Sequence, residues 1–219
     1  MVKSQMEQAE LFLENGVFKD LVQGNFIDHY HNMTYKHVMA LKWFDDFCSN
    51  AKVLLKVDDD VLVNVPYILA STKTNFWKAI QSENEDFIFC KEWPHSMPFR
   101  NKNSKWYVSE EDFPGMYYPS FCSGSAIFYA PHTVKMLLNE IRYMKYLFMD
   151  DVFVTGLARN RTNIKVTHYG NVWNNNTEEI RQIEKNPKMK NLFIGPSNIE
   201  ISDLYWNQIR ILNQRYNIA

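Results

Sequence analysis

The chain has 219 residues, 46% apolar and 15% aromatic, and a formal net charge of −1 at pH 7. That length bounds it at one sizeable α/β domain or two small ones, and the apolar content excludes a disordered chain. The near-zero charge argues against a nucleic-acid binder working by bulk electrostatics, and no run of about 18 apolar residues offers a transmembrane helix.

The opening stretch, MVKSQMEQAELFLENG, is polar and helix-like and reads as neither a signal peptide nor a membrane anchor. A helix is predicted over 4–14, stopping at Asn15-Gly16, with a short strand at 19–23. Val38, Leu41, Phe44 and Cys48 recur at helical spacing and predict an amphipathic helix over 33–49, with Asn32 or Thr34 as its cap. KVLLKV (52–57) is short, apolar and β-branched, as a buried strand should be, and Pro66 suits the first turn of a helix to about 76. DFIFC (86–90) is a second strand. Residues 92–121 hold four prolines and many aromatics without periodicity and read as a long functional loop. SAIFYA (125–130) is a third strand, followed by a helix over 132–146 that Pro131 opens. A short helix over 150–160 and a strand over 163–169 come next. The stretch 171–200 is polar and irregular, and an amphipathic helix covers 202–216. Strands alternating with helices imply a mostly parallel sheet covered on both faces, with ligands beyond the carboxyl ends of its strands.

Asp58, Asp59 and Asp60 follow the apolar strand directly. Three adjacent carboxylates repel one another, and a divalent cation relieves that repulsion. Oxygen ligands suit Mg²⁺ or Mn²⁺, which bridge carboxylates to substrate phosphates. In an extended chain Asp58 and Asp60 share a face and Asp59 points away. A solvated loop or a helix cap is the plainer alternative. A calcium-binding loop does not fit Leu62, and the same residue departs from the D-x-D motif of aspartyl-phosphate phosphatases.

Asp150-Asp151 is a second acidic point, at the start of a predicted helix; it reads as a cap pair or as a general base beside a metal-bound phosphate. His168 ends a strand and would complete a metal shell if that strand neighbours the Asp strand. Cys48, Cys90 and Cys122 leave open one disulfide plus a free thiol, or no disulfide. Three Asn-x-Thr triplets, at Asn32, Asn160 and Asn175, permit a secretory-pathway protein.

Six ordered blocks resemble the β-1,3-galactosyltransferase and β-1,3-N-acetylglucosaminyltransferase family, over roughly residues 8–170. Phe26-Ile-Asp28-His-Tyr30-His-Asn32-Met-Thr34-Tyr-Lys36 resembles its D-F-x-D-x-Y-x-N-L-T-x-K segment, and Leu41-Lys42-Trp43 with Cys48 resembles the following helix. AKVLLKVDDDVLVN (51–64) resembles K-x-D-D-D-V-F-V-N, Trp106 to Ser109 with Phe113-Pro114 resembles W-x-V-S…Y-P, and Tyr118 to Gly124 resembles Y-P-x-Y-x-S-G. Asp150 to Gly156 resembles E/D-D-V-x-x-G.

The resemblance implies a GT-A type α/β domain over 1–170, N-terminally incomplete and lacking the first βαβ segment; 171–219, outside the resemblance, is expected to be an extension whose last helix packs on the same domain. It implies an inverting, Mn²⁺-dependent transfer of galactose or an N-acetylhexosamine from a UDP-sugar, in β-1,3 linkage, to a glycan acceptor on a glycoprotein or glycolipid. Asp60 and His168 would hold the metal, and Asp151 would be the base. Asp58 and Asp59 would contact the ribose or donor sugar, with Lys36, Trp106, Tyr118, Ser123, Gly124 and Asp150 in the substrate site. Trp106, Tyr117 and Tyr118 offer flat faces on which sugars stack. No nucleic-acid partner is implied. The parent protein is expected at the lumenal side of the Golgi membrane, held by an anchor this chain lacks. The alternative is a non-catalytic relative that binds a glycan or a protein.

Overall fold

The computed structural model describes residues 5–65, 68, 86–168, 173–174, 193–194, 206–207 and 210. Helix α1 spans Gln5–Phe18 and α2 spans Met33–Phe47. Strands follow at Leu54–Val57 (β1), Leu62–Val63 (β2), Phe87–Trp93 (β3) and Phe121–Tyr129 (β4). Helix α3 is Pro131–Ile141, with proline in its first turn as predicted. A π-helical segment, Val152–Ala158, runs into a 3-10 turn at Arg159–Arg161. Strands β5 (Lys165–His168), β6 (Trp173–Asn174) and β7 (Phe193–Ile194) complete the described elements.

Several boundaries differ from the expected ones for local reasons. α1 continues through Gly16 and ends at Lys19, which adopts a left-handed φ of 56° and donates its N–H to the Asn15 carbonyl at 2.9 Å. The strand expected at 19–23 is not formed. Asn32 holds the N-cap position of α2 but makes no side-chain cap bond. Asn32 donates its side-chain amide to the Ile27 carbonyl (2.8 Å), and Thr34 is buried with its hydroxyl donated to the Leu147 carbonyl (2.7 Å). β4 begins at Phe121, inside the stretch read as loop, and α3 ends at Ile141 instead of 146. The helices expected at 66–76 and 202–216 lie mostly outside the described residues.

The α/β class holds. The main sheet has strand order β1-β4-β3-β5, with β4 antiparallel to both β1 and β3, and β3 parallel to β5. Three of the four strands therefore point one way and β4 runs against them. A small sheet has order β2-β7-β6, in which β7 is antiparallel to β2 and parallel to β6.

Both faces of the main sheet are buried, which explains why DFIFC is apolar throughout rather than alternating. Ile88 and Cys90 face a core shared with Leu41 and Phe44 of α2, Val134 and Leu137 of α3, and Val152 to Val154. Phe87 and Phe89 face the other side, with Ala126, Phe128 and Ile68. Ile88 is fully buried, a state worth about 1.5–3 kcal/mol for a side chain of its size. Cys90 and Cys122 form a disulfide that ties β3 to β4, and Cys48 is a free thiol. No described helix is long and apolar enough to cross a membrane.

Candidate active site

The acidic run sits in the turn beyond the carboxyl end of β1, where the Asp58 N–H donates to the Ser125 carbonyl at 3.1 Å. Val57 pairs with Ala126, so Ser123 and Gly124 at the start of β4 overhang that end of β1. Lys56 fills the space between. Its Nζ donates to Asp58 Oδ1 and to the Gly124 carbonyl, both at 2.5 Å, and its side chain is only 13% exposed. A Cβ built on Gly124 would lie 3.6 Å from Lys56 Nζ and 3.6 Å from Asp151 Cβ. The two acidic points of the sequence thus meet across the β1–β4 pair, with Lys56 between them.

Asp151 begins the π-helical segment and accepts the Val152 N–H at 2.7 Å. The same turn is bolted to β4 by Thr155, whose hydroxyl donates to the Asp151 carbonyl (2.6 Å) and accepts the Cys122 N–H (2.9 Å). Gly156 makes the close approach possible, since a Cβ there would meet Phe121 Cβ at 3.1 Å. Single turns of π-helix are frequent at functional sites.

The two acids differ in charge state. Burial and the negative charge of Asp150 push the Asp151 carboxyl up to about 7, against the Val152 and Gly124 N–H groups and Lys56. Burial also opposes the charge on Asp150. The hydrogen bond and charge of His37, with the charge of Lys56, outweigh it and hold Asp150 below its ordinary value. His37 Nδ1 lies 2.8 Å from Asp150 Oδ2 and Nε2 lies 3.0 Å from the Tyr129 hydroxyl. An ionised carboxylate accepts only, so Nδ1 carries the proton. A pair of acids driven apart in this way separates a permanent anion from a group that exchanges its proton near neutral pH.

The aromatic wall is anchored by Tyr30. Burial first, and then the charges of Asp151, Asp150 and Asp58, raise its hydroxyl, while a hydrogen bond with Trp106 lowers it. Lys105 Nζ lies 5.8 Å from the Tyr30 ring centre and 4.6 Å from that of Trp106. Trp106 and Tyr117 keep exposed faces. Tyr118 does not. It is 4% exposed, its ring packs on Phe113 and Phe121, and burial pushes its hydroxyl up to about 12. The stacking surface expected of Tyr118 is therefore in the core.

Two further candidates have other partners. Lys36 is not brought to the acids; its Nζ pairs with Asp28 at 2.8 Å, in a cleft of about 560 Å³ lined also by Glu7, Glu10, Leu11, Gly24 and Phe26. His168 lies on β5, at the opposite edge of the main sheet from β1, with β4 and β3 between them. Three strand spacings amount to about 14 Å, and His168 Nδ1 already accepts the Glu92 N–H at 3.0 Å. The condition for His168 joining Asp60 at a metal is not met. The turn itself offers oxygen donors only, Asp59 and Asp60 being exposed while Asp58 is taken by Lys56. Such a set suits a hard cation that keeps waters and shares phosphate oxygens. No group of three or more metal-binding side chains occurs among the described residues. Ser123 is bonded to Ser125 (Oγ–Oγ 2.9 Å), beside the cluster.

His37, Lys56 and Tyr30 were missed as site residues. Lys56 and Tyr30 lie inside recognisable motifs, and His37 shares the buried stripe of α2 with Thr34, Leu41 and Phe44.

The fold and the acids at the β1–β4 end define a GT-A-like glycosyltransferase domain. The chain belongs to the Galactosyltransferase family, whose family model matches residues 3–170. It is 31% identical over 164 residues to lactosylceramide 1,3-N-acetyl-beta-D-glucosaminyltransferase of Xenopus tropicalis, covering 74% of this chain and 42% of that protein. It is 32% identical over 168 residues to beta-1,3-galactosyltransferase 5 of Homo sapiens, covering 74% and 50%. With beta-1,3-galactosyltransferase 1 of Mus musculus it shares 29% over 141 residues, 64% and 42%. The chain spans about half the length of the curated relatives it matches.

Proposed function

We propose that the domain transfers galactose or an N-acetylhexosamine from a UDP-sugar to a hydroxyl of a glycan acceptor, with inversion and in β-1,3 linkage. The relatives' names support the transfer and the linkage. The observation that carries the reading is Asp151: a buried carboxyl whose proton affinity is poised near neutrality, as a general base requires. Asp151 would take the proton of the acceptor hydroxyl as its oxygen attacks the anomeric carbon. Lys56 and the Val152 and Gly124 N–H groups hold that carboxylate in place once it is ionised. Trp106 and Tyr117 would stack the sugars beside it. A Mn²⁺ or Mg²⁺ held by Asp60, with Asp59, would supply charge neutralisation at the departing diphosphate. The Golgi lumen fits the Cys90–Cys122 disulfide, a bond that persists in oxidising compartments.

The test is Asp151→Asn, assayed for transfer and for Mn²⁺-dependent UDP binding. Transfer should fall by about 10²–10⁴-fold with UDP binding kept. Full transfer by the variant would remove the base assignment. A second reading, a non-catalytic glycan-binding relative, is favoured by the separation of His168 from Asp60 and by the Lys56–Asp58 pairing. It predicts glycan binding with no UDP binding at millimolar ligand.

A further inference from the structure

The sequence carries three Asn-x-Thr triplets, and the structure treats two of them very differently; the third, at Asn175, lies outside the described residues. At Asn32 the threonine hydroxyl is spent inside the fold, while the asparagine amide makes an exposed bond. The Asn32 amide donates to Ile27, and the Thr34 hydroxyl, 2% exposed, donates to Leu147. At Asn160 the triplet lies on a largely exposed turn. Its neighbours anchor the turn: Arg159 reaches inward to the Ser120 carbonyl (2.7 Å) and the Thr155 carbonyl (2.8 Å), and Arg161 pairs with Glu140 of α3 at 2.8 Å. Thr162 closes the turn on the Arg159 carbonyl at 2.7 Å. Asn160 itself faces solvent on this fixed turn. The disulfide between the buried Cys90 and Cys122 independently places folding in an oxidising compartment, where such triplets are sugar acceptors.

We propose that Asn160 carries an N-linked glycan. The donor is an oligosaccharide on a lipid diphosphate. The Asn160 amide nitrogen forms a bond to the anomeric carbon of the first sugar, the bond from that carbon to the diphosphate oxygen breaks, and the amide releases one proton to solvent. No oxidation state changes. Asn160 lies nine residues beyond Asp151 along the helical segment, on the order of 10 Å at helical rise, so the glycan leaves the acids open. It also stands five residues before β5, which among the described residues has a strand neighbour on one side only and is largely exposed. A bulky, solvated group there would shield that edge from pairing with another chain.

The test uses the full chain expressed through the secretory pathway of a eukaryotic cell. Peptide N-glycosidase treatment in heavy-oxygen water should leave a labelled aspartate at position 160, and N160Q should migrate one glycan lighter with the same melting temperature. An unmodified Asn160 overturns the proposal. Joined cysteines in the unmodified chain would place the failure in the triplet, and free thiols would place it in the compartment.

Discussion

His37 Nδ1 stands 2.8 Å from Asp150 Oδ2, linking α2 to the start of the π-helical segment across 113 positions of sequence. His37 is almost wholly buried and Asp150 nearly so, with side chains 1% and 15% exposed. Around the pair lie Lys56 of β1, Tyr129 of β4 and Asp151. His37→Phe would leave the Asp150 carboxyl without its donor, at a cost of about 1–3 kcal/mol. Asp150 would then hold a proton to higher pH, and Asp151 would lose a neighbouring charge. The acid limb of the pH–rate profile should therefore move to lower pH, while His37→Gln, which keeps a donor, should restore much of both stability and profile. An unchanged limb in His37→Phe would count against the coupling. Because the acids interact, the profile reports the pair and not either residue.

Lys56 supports a separate prediction. Its ammonium joins Asp58 to the Gly124 carbonyl in a half-buried setting. Lys56→Met keeps the stem and removes the charge, stranding a carboxylate and a carbonyl. Urea unfolding should show a loss of about 2–3 kcal/mol. Asp151, no longer opposed by that cation, should titrate higher still. Lys56→Arg should not rescue, since a planar fork does not fit the space of a point charge. Wild-type stability in Lys56→Met would show the bridge to be incidental.

These relationships mark where sequence reading stops. The carboxylates at 58–60 and 150–151 were legible because each follows an apolar stretch that local pattern identifies as strand end or helix start. That β4 reverses between β1 and β3 was not, since hydrophobic pattern fixes what a strand buries and not its direction. The place of His168 falls in the same gap: its expected role depended on strand order. His37 falls within the helix expected over 33–49, but nothing local reveals its partner, which is 113 positions away in sequence. Lys56 lies inside KVLLKV, and only the β1–β4 pairing shows what its ammonium meets. Tyr118 and Trp106 are both loop aromatics by sequence, and only packing separates the buried ring from the exposed one. The disulfide could not be chosen from three cysteines until β3 and β4 were seen to pair.

The disulfide closes a loop between positions separated by 32 residues. Loop entropy of that size is worth about 3–4 kcal/mol in the unfolded chain. Reduction, or replacement of both Cys90 and Cys122 by alanine, should lower the denaturant midpoint accordingly, with the slope changed because the unfolded state expands. Cys48→Ala should change little, as it removes a half-buried thiol with no bond to lose. Equal midpoints with and without reductant would show that the bond adds nothing to stability.

The last prediction concerns the cost of holding Asp151 as it is. In the folded chain its carboxyl titrates at about 7, against about 3.9 for an unfolded aspartate. Between those values the folded state keeps a proton that the unfolded state has lost, so the contribution of Asp151 to stability falls as pH rises through that window and is smallest above it. Asp151→Asn has no proton to exchange there. Its stability relative to wild type should therefore improve between about pH 4 and about pH 8, by on the order of 2 kcal/mol after allowance for solvent screening. Urea unfolding of both proteins across that range measures the difference, and effects of other titrating groups largely cancel in it. A difference that stays constant with pH would show that the carboxyl is not raised. A gain in stability at pH 8 joined to loss of transfer would show that a destabilised group is what the site keeps for its chemistry.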